Sequence, residues 1–180
     1  MKTGQLTIKG TVQKSWQKIY ETILSAATTS LTISGLDGNT DILYKVVIKL
    51  VSNATGMHSG VLLNNDTGSN YGFQYLLGVN TAVSSERGAD ARIYVGSLAS
   101  GIDSGKIGKG ECLIYTKSGY VRTAIVTTAE NISTTTITSL SITGQSWNNT
   151  ADNITSIVLA STMSNGYGIG TYVALYRRRA

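Results

Sequence analysis

The sequence predicts an all-β protein, a single-domain antiparallel β-sandwich or jelly-roll-like barrel of about ten strands. Three observations support this fold class. Ser and Thr together supply 44 of the 180 residues and Gly another 20, while only 14% of the residues are charged; Thr favours strands, and Ser and Gly favour turns. Short segments of alternating apolar and polar residues recur with turn signals every 8–12 residues, as in a sandwich or barrel. No long segment has the apolar period of an amphipathic helix.

The predicted strands are short runs rich in Val, Ile, Leu, Thr and Tyr that end at Gly, Asn, Asp or Ser. Trp16–Leu24 fits a strand or a short helix, and we assign it as a strand. Ile42–Val51 is the longest apolar run and predicts a central strand. The remaining segments, two of which form a hairpin across Ser118 and Gly119, are Gln5–Thr11, Ser30–Leu36, Ser59–Leu63, Phe73–Val79, Ala91–Leu98, Glu111–Lys117, Tyr120–Thr128, Thr135–Thr143, Ile154–Thr162 and Thr171–Arg177.

No linker-like stretch divides the chain, so we expect one domain over residues 1–180. The net charge of +5 is concentrated at a basic N-terminal segment, 1–20, and a basic C-terminal end, 177–180. Such ends either improve solubility or bind an acidic partner. A stripe of basic and aromatic residues, which nucleic-acid binding favours, is not evident. The predicted partner-binding residues are Lys2, Lys9, Lys14, Lys18, Arg177, Arg178 and Arg179.

A single cysteine, Cys112, lies in an apolar run and is expected to be a buried, unreactive thiol. The N-terminal residues lack the apolar core of a signal peptide, and no run is long enough to span a bilayer. We therefore expect a soluble protein that is made in a cytoplasm and has no membrane partner.

The sequence points to no catalytic residue, cofactor or metal, so we predict that the protein is not an enzyme. His58, the only histidine, is expected in a polar loop, and one His with one Cys cannot complete a metal site. Asp37 and Asp41 flank Gly38 but lack the remaining ligands of a calcium loop. The Gly-rich segment 105–110 lacks the spacing of a phosphate loop and is expected to be a flexible connection. Two facing carboxylates, as in glycosidases, stay possible.

Two passages are distinctive. The first is Ser34–Asp41 with Tyr44 and Val46–Leu50, and the second is Thr150–Ile157 with Asn165–Thr171 and Leu175–Arg178. Together they resemble passages in virion structural proteins of tailed bacteriophages, among them capsid decoration (cement) proteins and tail-associated β-domain proteins. They cover about a quarter to a third of the chain. The resemblance implies a class of protein and leaves its position in the virion open.

This resemblance implies a capsid decoration protein that binds the major capsid protein on the outer shell and stabilises it. A homotrimer is expected, because hydroxyl-rich strands and a single Phe make a modest monomer core. The alternative is a tail or fibre component that binds a host-surface glycan through exposed aromatic residues such as Trp16, Trp147 or Tyr167. Both tryptophans could equally be core or subunit-interface residues.

Overall fold

The computed structural model describes residues 15–54, 56–98, 107–131 and 137–179, and in these ranges every regular element is a β-strand. The all-β prediction is thus confirmed, and the predicted segment Gln5–Thr11 lies outside the described residues. The twelve strands described are β1 Gln17–Ile23, β2 Ser30–Ser34, β3 Asp41–Leu50, β4 Met57–Leu63, β5 Tyr71–Val79, β6 Ala82–Asp90, β7 Ile93–Leu98, β8 Ile107–Tyr115, β9 Arg122–Asn131, β10 Ile137–Trp147, β11 Ser156–Ser161 and β12 Tyr172–Arg179.

The strands form two antiparallel sheets of unequal width. The large sheet has eight strands in the order β1-β12-β3-β8-β9-β10-β5-β6, and the small sheet has four in the order β2-β11-β4-β7. The edge strand β7 packs against β8, β9 and β10 of the large sheet. The small sheet therefore ends at β7, and the large sheet continues past it through β5 and β6.

The core lies between the two sheets and follows from the period-two pattern of the strands. In β3, which is central as predicted, Val46, Ile48 and Leu50 point inward and are at most 1% exposed. Val61 in β4 and Leu159 in β11 are fully buried against them from the small sheet. Burial of such aliphatic side chains contributes about 1.5–3 kcal/mol each, so this layer supplies most of the driving force for folding.

One end of the sandwich is closed where two of the distinctive segments, Ser34–Asp41 and Thr150–Ile157, meet. The Asn39 backbone N–H donates to Asn153 Oδ1 at 3.0 Å, and Asn153 Nδ2 donates to Asp37 Oδ1 at 2.9 Å. Hydrogen bonds from Thr40 and then Asn153 hold the pKa of Asp37 below its usual value. A Cβ atom on Gly38 would lie 3.0 Å from Ile154 Cβ. The distinctive residues of the two passages therefore serve to join distant parts of the chain.

A buried carboxylate anchors β12 at the same end. Asp41 is 1% exposed and accepts hydrogen bonds from Arg179 Nε at 2.8 Å and from the Tyr44 hydroxyl at 3.0 Å. Arg177 Nη1 lies 3.6 Å from Asp41 Oδ2. The last strand was predicted to end at Arg177. That boundary was wrong, because the pairing with Asp41 extends β12 to Arg179.

The opposite end is closed by the glycine-rich segment Asn165–Thr171. The backbone of Tyr167 exchanges two hydrogen bonds of 3.0 Å with Thr28, and its buried hydroxyl lies 2.7 Å from Ser59 Oγ. Asn165 has a φ of 50° and Gly170 a φ of 86°, which are left-handed conformations that Asn and Gly adopt most readily. This turn places the buried side chain of Tyr167 between the two sheets.

Two sequence-based expectations about local structure were wrong. The strand β6 was missed, since Ala82–Asp90 is polar, contains Gly88 and is exposed along nearly its whole length. The segment 105–110 was expected to be a flexible connection, yet β8 begins at Ile107. A Cβ atom on Gly110 would lie 2.1 Å from the Val95 carbonyl oxygen. Gly110 is therefore a strand residue, and its lack of a side chain lets β7 approach closely.

We expect Arg179→Ala to lower the free energy of unfolding by about 1–3 kcal/mol, because the buried Asp41 carboxylate loses a charged donor. Arg178, whose side chain points to the other face of β12, provides the matched control. Arg178→Ala should change the free energy by less than about 0.5 kcal/mol. Urea unfolding of both variants measures the difference, and equal effects would show that Asp41 does not depend on Arg179.

Candidate functional site

The unequal width of the sheets opens a groove beside the small sheet. Its volume is about 730 Å³. The floor is the inner face of β9, β10 and β5, and one wall is the edge strand β7 with the start of β4. The small sheet does not cover this part of the large sheet. Inward side chains that a wider small sheet would bury therefore line an open surface.

Aromatic side chains form the wall on β5. Phe73 and Tyr75 point to the same face, and their rings are nearly parallel, with centroids 5.8 Å apart and an interplanar angle of 9°. The Tyr75 hydroxyl donates to Glu86 Oε2 at 2.7 Å, and this hydrogen bond raises the pKa of Tyr75. The Phe73 ring lies over Gly88, where a Cβ atom would be 3.0 Å from it. Both rings are held by β6 and remain partly exposed.

A second pair of rings lies across the groove. His58 Nδ1 and the Tyr94 hydroxyl are 3.0 Å apart, and the ring centroids are 5.6 Å apart at an angle of 49°. The prediction that His58 lies in a polar loop was wrong, because it is the second residue of β4. The neighbouring glycines are typical of loops, so the sequence pattern predicted a loop here. The histidine is nevertheless exposed.

The floor between these walls combines the apolar Leu77 and Val79 with hydroxyl and carboxylate groups, of which the hydroxyls of Thr128 and Ser139 are partly exposed. Thr128 Oγ1 and Ser141 Oγ are 2.6 Å apart. Glu130, which is 4% exposed, accepts a hydrogen bond of 3.1 Å from Ser139 Oγ. Thr143 adds another hydroxyl that is 3% exposed. Hydroxyl groups both donate and accept hydrogen bonds. The floor therefore contains hydrogen-bond donors and acceptors between the two pairs of aromatic rings.

A side-chain amide joins the floor to the wall on β7. Gln145 Oε1 accepts from the Tyr94 backbone N–H at 2.7 Å, and Gln145 Nε2 donates to the Tyr94 carbonyl at 2.8 Å. Gln145 therefore pairs with the open edge of β7 as a neighbouring strand would. This contact fixes the position of the small sheet over the large one and satisfies two backbone groups at the groove.

The outer face of the large sheet is a separate feature. Leu113 lies opposite Ile125, and Ile142 lies opposite Leu76 on the neighbouring strand. Thr127 faces the same way beside them, and the ion pair of Lys45 with Glu111 borders this face next to Leu113. The exposed aliphatic side chains of this face span five strands, are 37–79% exposed, and are Leu113, Ile125, Leu140, Ile142, Leu76 and Val83. We call these six residues the outer aliphatic patch.

The structure describes four of the seven predicted partner-binding residues. Arg177 and Arg179 are paired with Asp41, so they already have a role in the fold. Lys18 forms an ion pair with Glu21 at the surface. Arg178 lies on the outer face of β12. Lys2, Lys9 and Lys14 lie outside the described residues, so partner binding by the basic ends stays a prediction.

The aromatic residues proposed for glycan stacking are mostly unavailable. Trp147 is 1% exposed and donates from Nε1 to Asp66 Oδ2 at 2.7 Å, so it is a core residue. Tyr167 is also 1% exposed. Trp16 is partly exposed, with Lys45 Nζ 5.2 Å from its ring centre. The aromatic residues that line the groove are instead Phe73, Tyr75 and Tyr94, for which the sequence predicted only strand positions.

The thiol of the single cysteine is buried. Cys112 is 1% exposed, as predicted, and burial raises the pKa of its thiol. In the described ranges, His, Cys, Asp and Glu do not come together in groups of three that could hold a metal ion. The described part of the chain also contains no helix long and apolar enough to cross a membrane.

The fold and groove define an antiparallel β-sandwich with an open surface of ligand size beside its small sheet. Comparison with known proteins finds no matching family model, no similar curated protein and no similar solved structure. The function must therefore be inferred from the geometry and from the sequence itself.

We expect Gln145→Ala to lower the free energy of unfolding by about 1–3 kcal/mol, because the amide and carbonyl of Tyr94 lose their partner at the sheet edge. The backbone amide of Tyr94 should also exchange faster with solvent. Gln74→Ala is the matched control, since Gln74 is an exposed glutamine on the neighbouring strand. Urea unfolding with hydrogen exchange measures both effects; unchanged exchange at Tyr94 would contradict the role of Gln145.

Proposed function

We propose that this protein is a non-enzymatic structural component of a virus particle, and specifically a capsid decoration protein that binds the outer capsid as a homo-oligomer. The observation that carries the proposal is the outer aliphatic patch. A soluble monomer rarely exposes a contiguous apolar area of several hundred Å², and larger areas mark interaction sites. The resemblance to virion structural proteins of tailed bacteriophages supports the assignment to a virion.

The extent of the patch fits a stable subunit interface. Five neighbouring strands of about nine residues cover an area of roughly 20 by 30 Å, and a standard interface buries about 800 Å² on each partner. Each fully exposed aliphatic side chain contributes about 1.5–3 kcal/mol when buried. Six side chains that are 37–79% exposed would therefore add several kcal/mol of association free energy per copy.

The occupant that we propose is a second copy of this chain. Permanent homo-oligomer interfaces are more apolar than transient contacts between different proteins, and the patch is aliphatic throughout. The same face contains a shallow depression of about 640 Å³ beside Ile125, lined by Gly72 and Gly144. A Cβ atom on Gly144 would meet nothing nearer than the Gln74 carbonyl at 4.0 Å. Packing within one copy thus does not require glycine there, whereas an aliphatic side chain of another copy could occupy the depression.

Contact with the capsid is assigned to the basic ends. Because Arg177 and Arg179 neutralise Asp41, the side chains left for an acidic capsid surface are Arg178 and the N-terminal lysines. Exposed ion pairs contribute about 0.2–1 kcal/mol each, so this contact depends on many sites acting together over the shell. Decoration of a capsid in many copies provides such multiplicity.

The alternative, a tail or fibre component that binds a glycan, is favoured by a different observation. Phe73, Tyr75 and Tyr94 present aromatic surface to an open groove. An outer aliphatic patch that holds copies together is compatible with either position in the virion, because tail fibres are also oligomers.

We expect the wild-type protein to be an oligomer in solution and Ile142→Asp to dissociate it, because a carboxylate in the centre of an apolar interface is costly to bury. The expected mass of the variant by light scattering is 19.0 kDa. Ile169→Asp is the matched control, since Ile169 is 66% exposed and lies away from the patch. A wild-type mass of one chain at micromolar concentration would refute the homo-oligomer. A wild-type mass of three chains would match the expected trimer.

Electron microscopy of gold-labelled protein on virus particles tests the position in the virion. Label distributed over the head is the expected result and supports decoration. Label confined to the tail tip would replace decoration with the tail component. Absence from particles would refute both.

A further inference from the structure

We infer that the groove between β5, β10 and β7 is a binding site for a neutral saccharide chain. This inference goes beyond the proposed capsid role, and it uses a different surface from the outer aliphatic patch. The groove has a volume of about 730 Å³, which lies within the usual range of about 300–1,000 Å³ for small-ligand sites. It is open to solvent along the edge of the small sheet.

The wall on β5 suits the apolar face of a sugar ring. An aromatic ring has a negative face, which attracts the weakly positive C–H groups on one side of a pyranose. Phe73 and Tyr75 present two nearly parallel rings 5.8 Å apart. Tyr75 is fixed by Glu86, and Phe73 is fixed over Gly88. Rings that are already held in place lose little conformational entropy when a ligand binds.

The floor suits the hydroxyl groups at the edge of the same sugar. Rows of inward residues run across β5, β10 and β9, and one row contains Leu77, Ser141 and Thr128. The next row places Ser139 beside Glu130. These hydroxyl and carboxylate oxygens provide donors and acceptors that sugar hydroxyls can match. A polyhydroxylated ligand with an apolar face fits both the aromatic wall and the hydroxyl groups of the floor.

A peptide is disfavoured by the state of the β7 edge. Extended peptides bind grooves of this kind by adding a strand to an exposed sheet edge. At Tyr94, both the N–H and the carbonyl are already bonded to Gln145. Strand addition at this point would first require that contact to break.

An anionic ligand is disfavoured by charge. Among the described lining residues, Asp90 and Glu130 are acidic and Arg92 is basic. The stem of Arg92 lies across Gly60, where a Cβ atom would be 2.3 Å from Arg92 Cδ. Nucleotides and acidic glycans require a positive surface, and the groove does not provide one. The ligand class is therefore a neutral oligosaccharide.

Titration calorimetry with maltohexaose, cellohexaose, chitohexaose and mannohexaose as separate probes tests the site. At least one neutral probe should bind saturably to the wild-type protein, and polysialic acid should not. Tyr75→Ala should weaken binding about tenfold because one stacking surface is lost. Tyr75→Phe keeps the ring and should bind within about threefold of the wild type.

Gln74→Ala is the matched control, since Gln74 adjoins Tyr75 on β5 and points to the opposite face. It should leave the affinity unchanged. The far-ultraviolet circular dichroism of every variant should match that of the wild type. Failure of all four neutral probes to bind would overturn the inference, as would equal affinities of the Tyr75→Ala and Gln74→Ala variants. Neither result would alter the oligomer measured with Ile142→Asp.

Discussion

An eight-stranded sheet cannot be covered by a four-stranded one, and the groove arises from this mismatch. Where the sheets overlap, inward side chains such as Ile48 form a closed core. Beyond β7 the inner face of the large sheet is left as the groove. Nothing in the described part of the chain covers the outer face, so its aliphatic side chains are exposed. The position of β7 therefore determines both where the core ends and where the groove begins.

The position of β7 depends on two contacts outside the apolar core. Gly110 allows the Val95 backbone to approach β8 more closely than any side chain would permit. Gln145 pairs with the Tyr94 backbone from the large sheet and satisfies the edge. Edge strands leave unpaired backbone groups that favour association with other chains. Here a side chain of the same molecule satisfies part of that edge, and the groove remains open beside it.

Sequence periodicity predicted the fold class and eleven of the twelve described strands, because burial of one strand face imposes a period of two. β6 was missed because its exposed residues, such as Arg87, carry no apolar alternation. Phe73 and Tyr75 were recognised as strand residues but not as a site. Strands that line the core and strands that line the groove show the same alternation of apolar and polar residues. Only the pairing of distant strands determines which of the two surfaces a residue lines. The roles of Arg177 and Arg179 were hidden for the same reason, since Asp41 is about 136 residues away in sequence.

The edges of the large sheet determine how assemblies of this protein can grow. β1 carries Lys18 and Glu21, and β6 carries Glu86 and Arg87. Charged residues on edge strands oppose the edge-to-edge pairing that leads to fibrils. In the proposed oligomer, the copies would therefore associate through sheet faces and not through sheet edges. Face-to-face contacts related by symmetry form closed particles of fixed size. A chain rich in β-structure can then be present in many copies without forming open polymers.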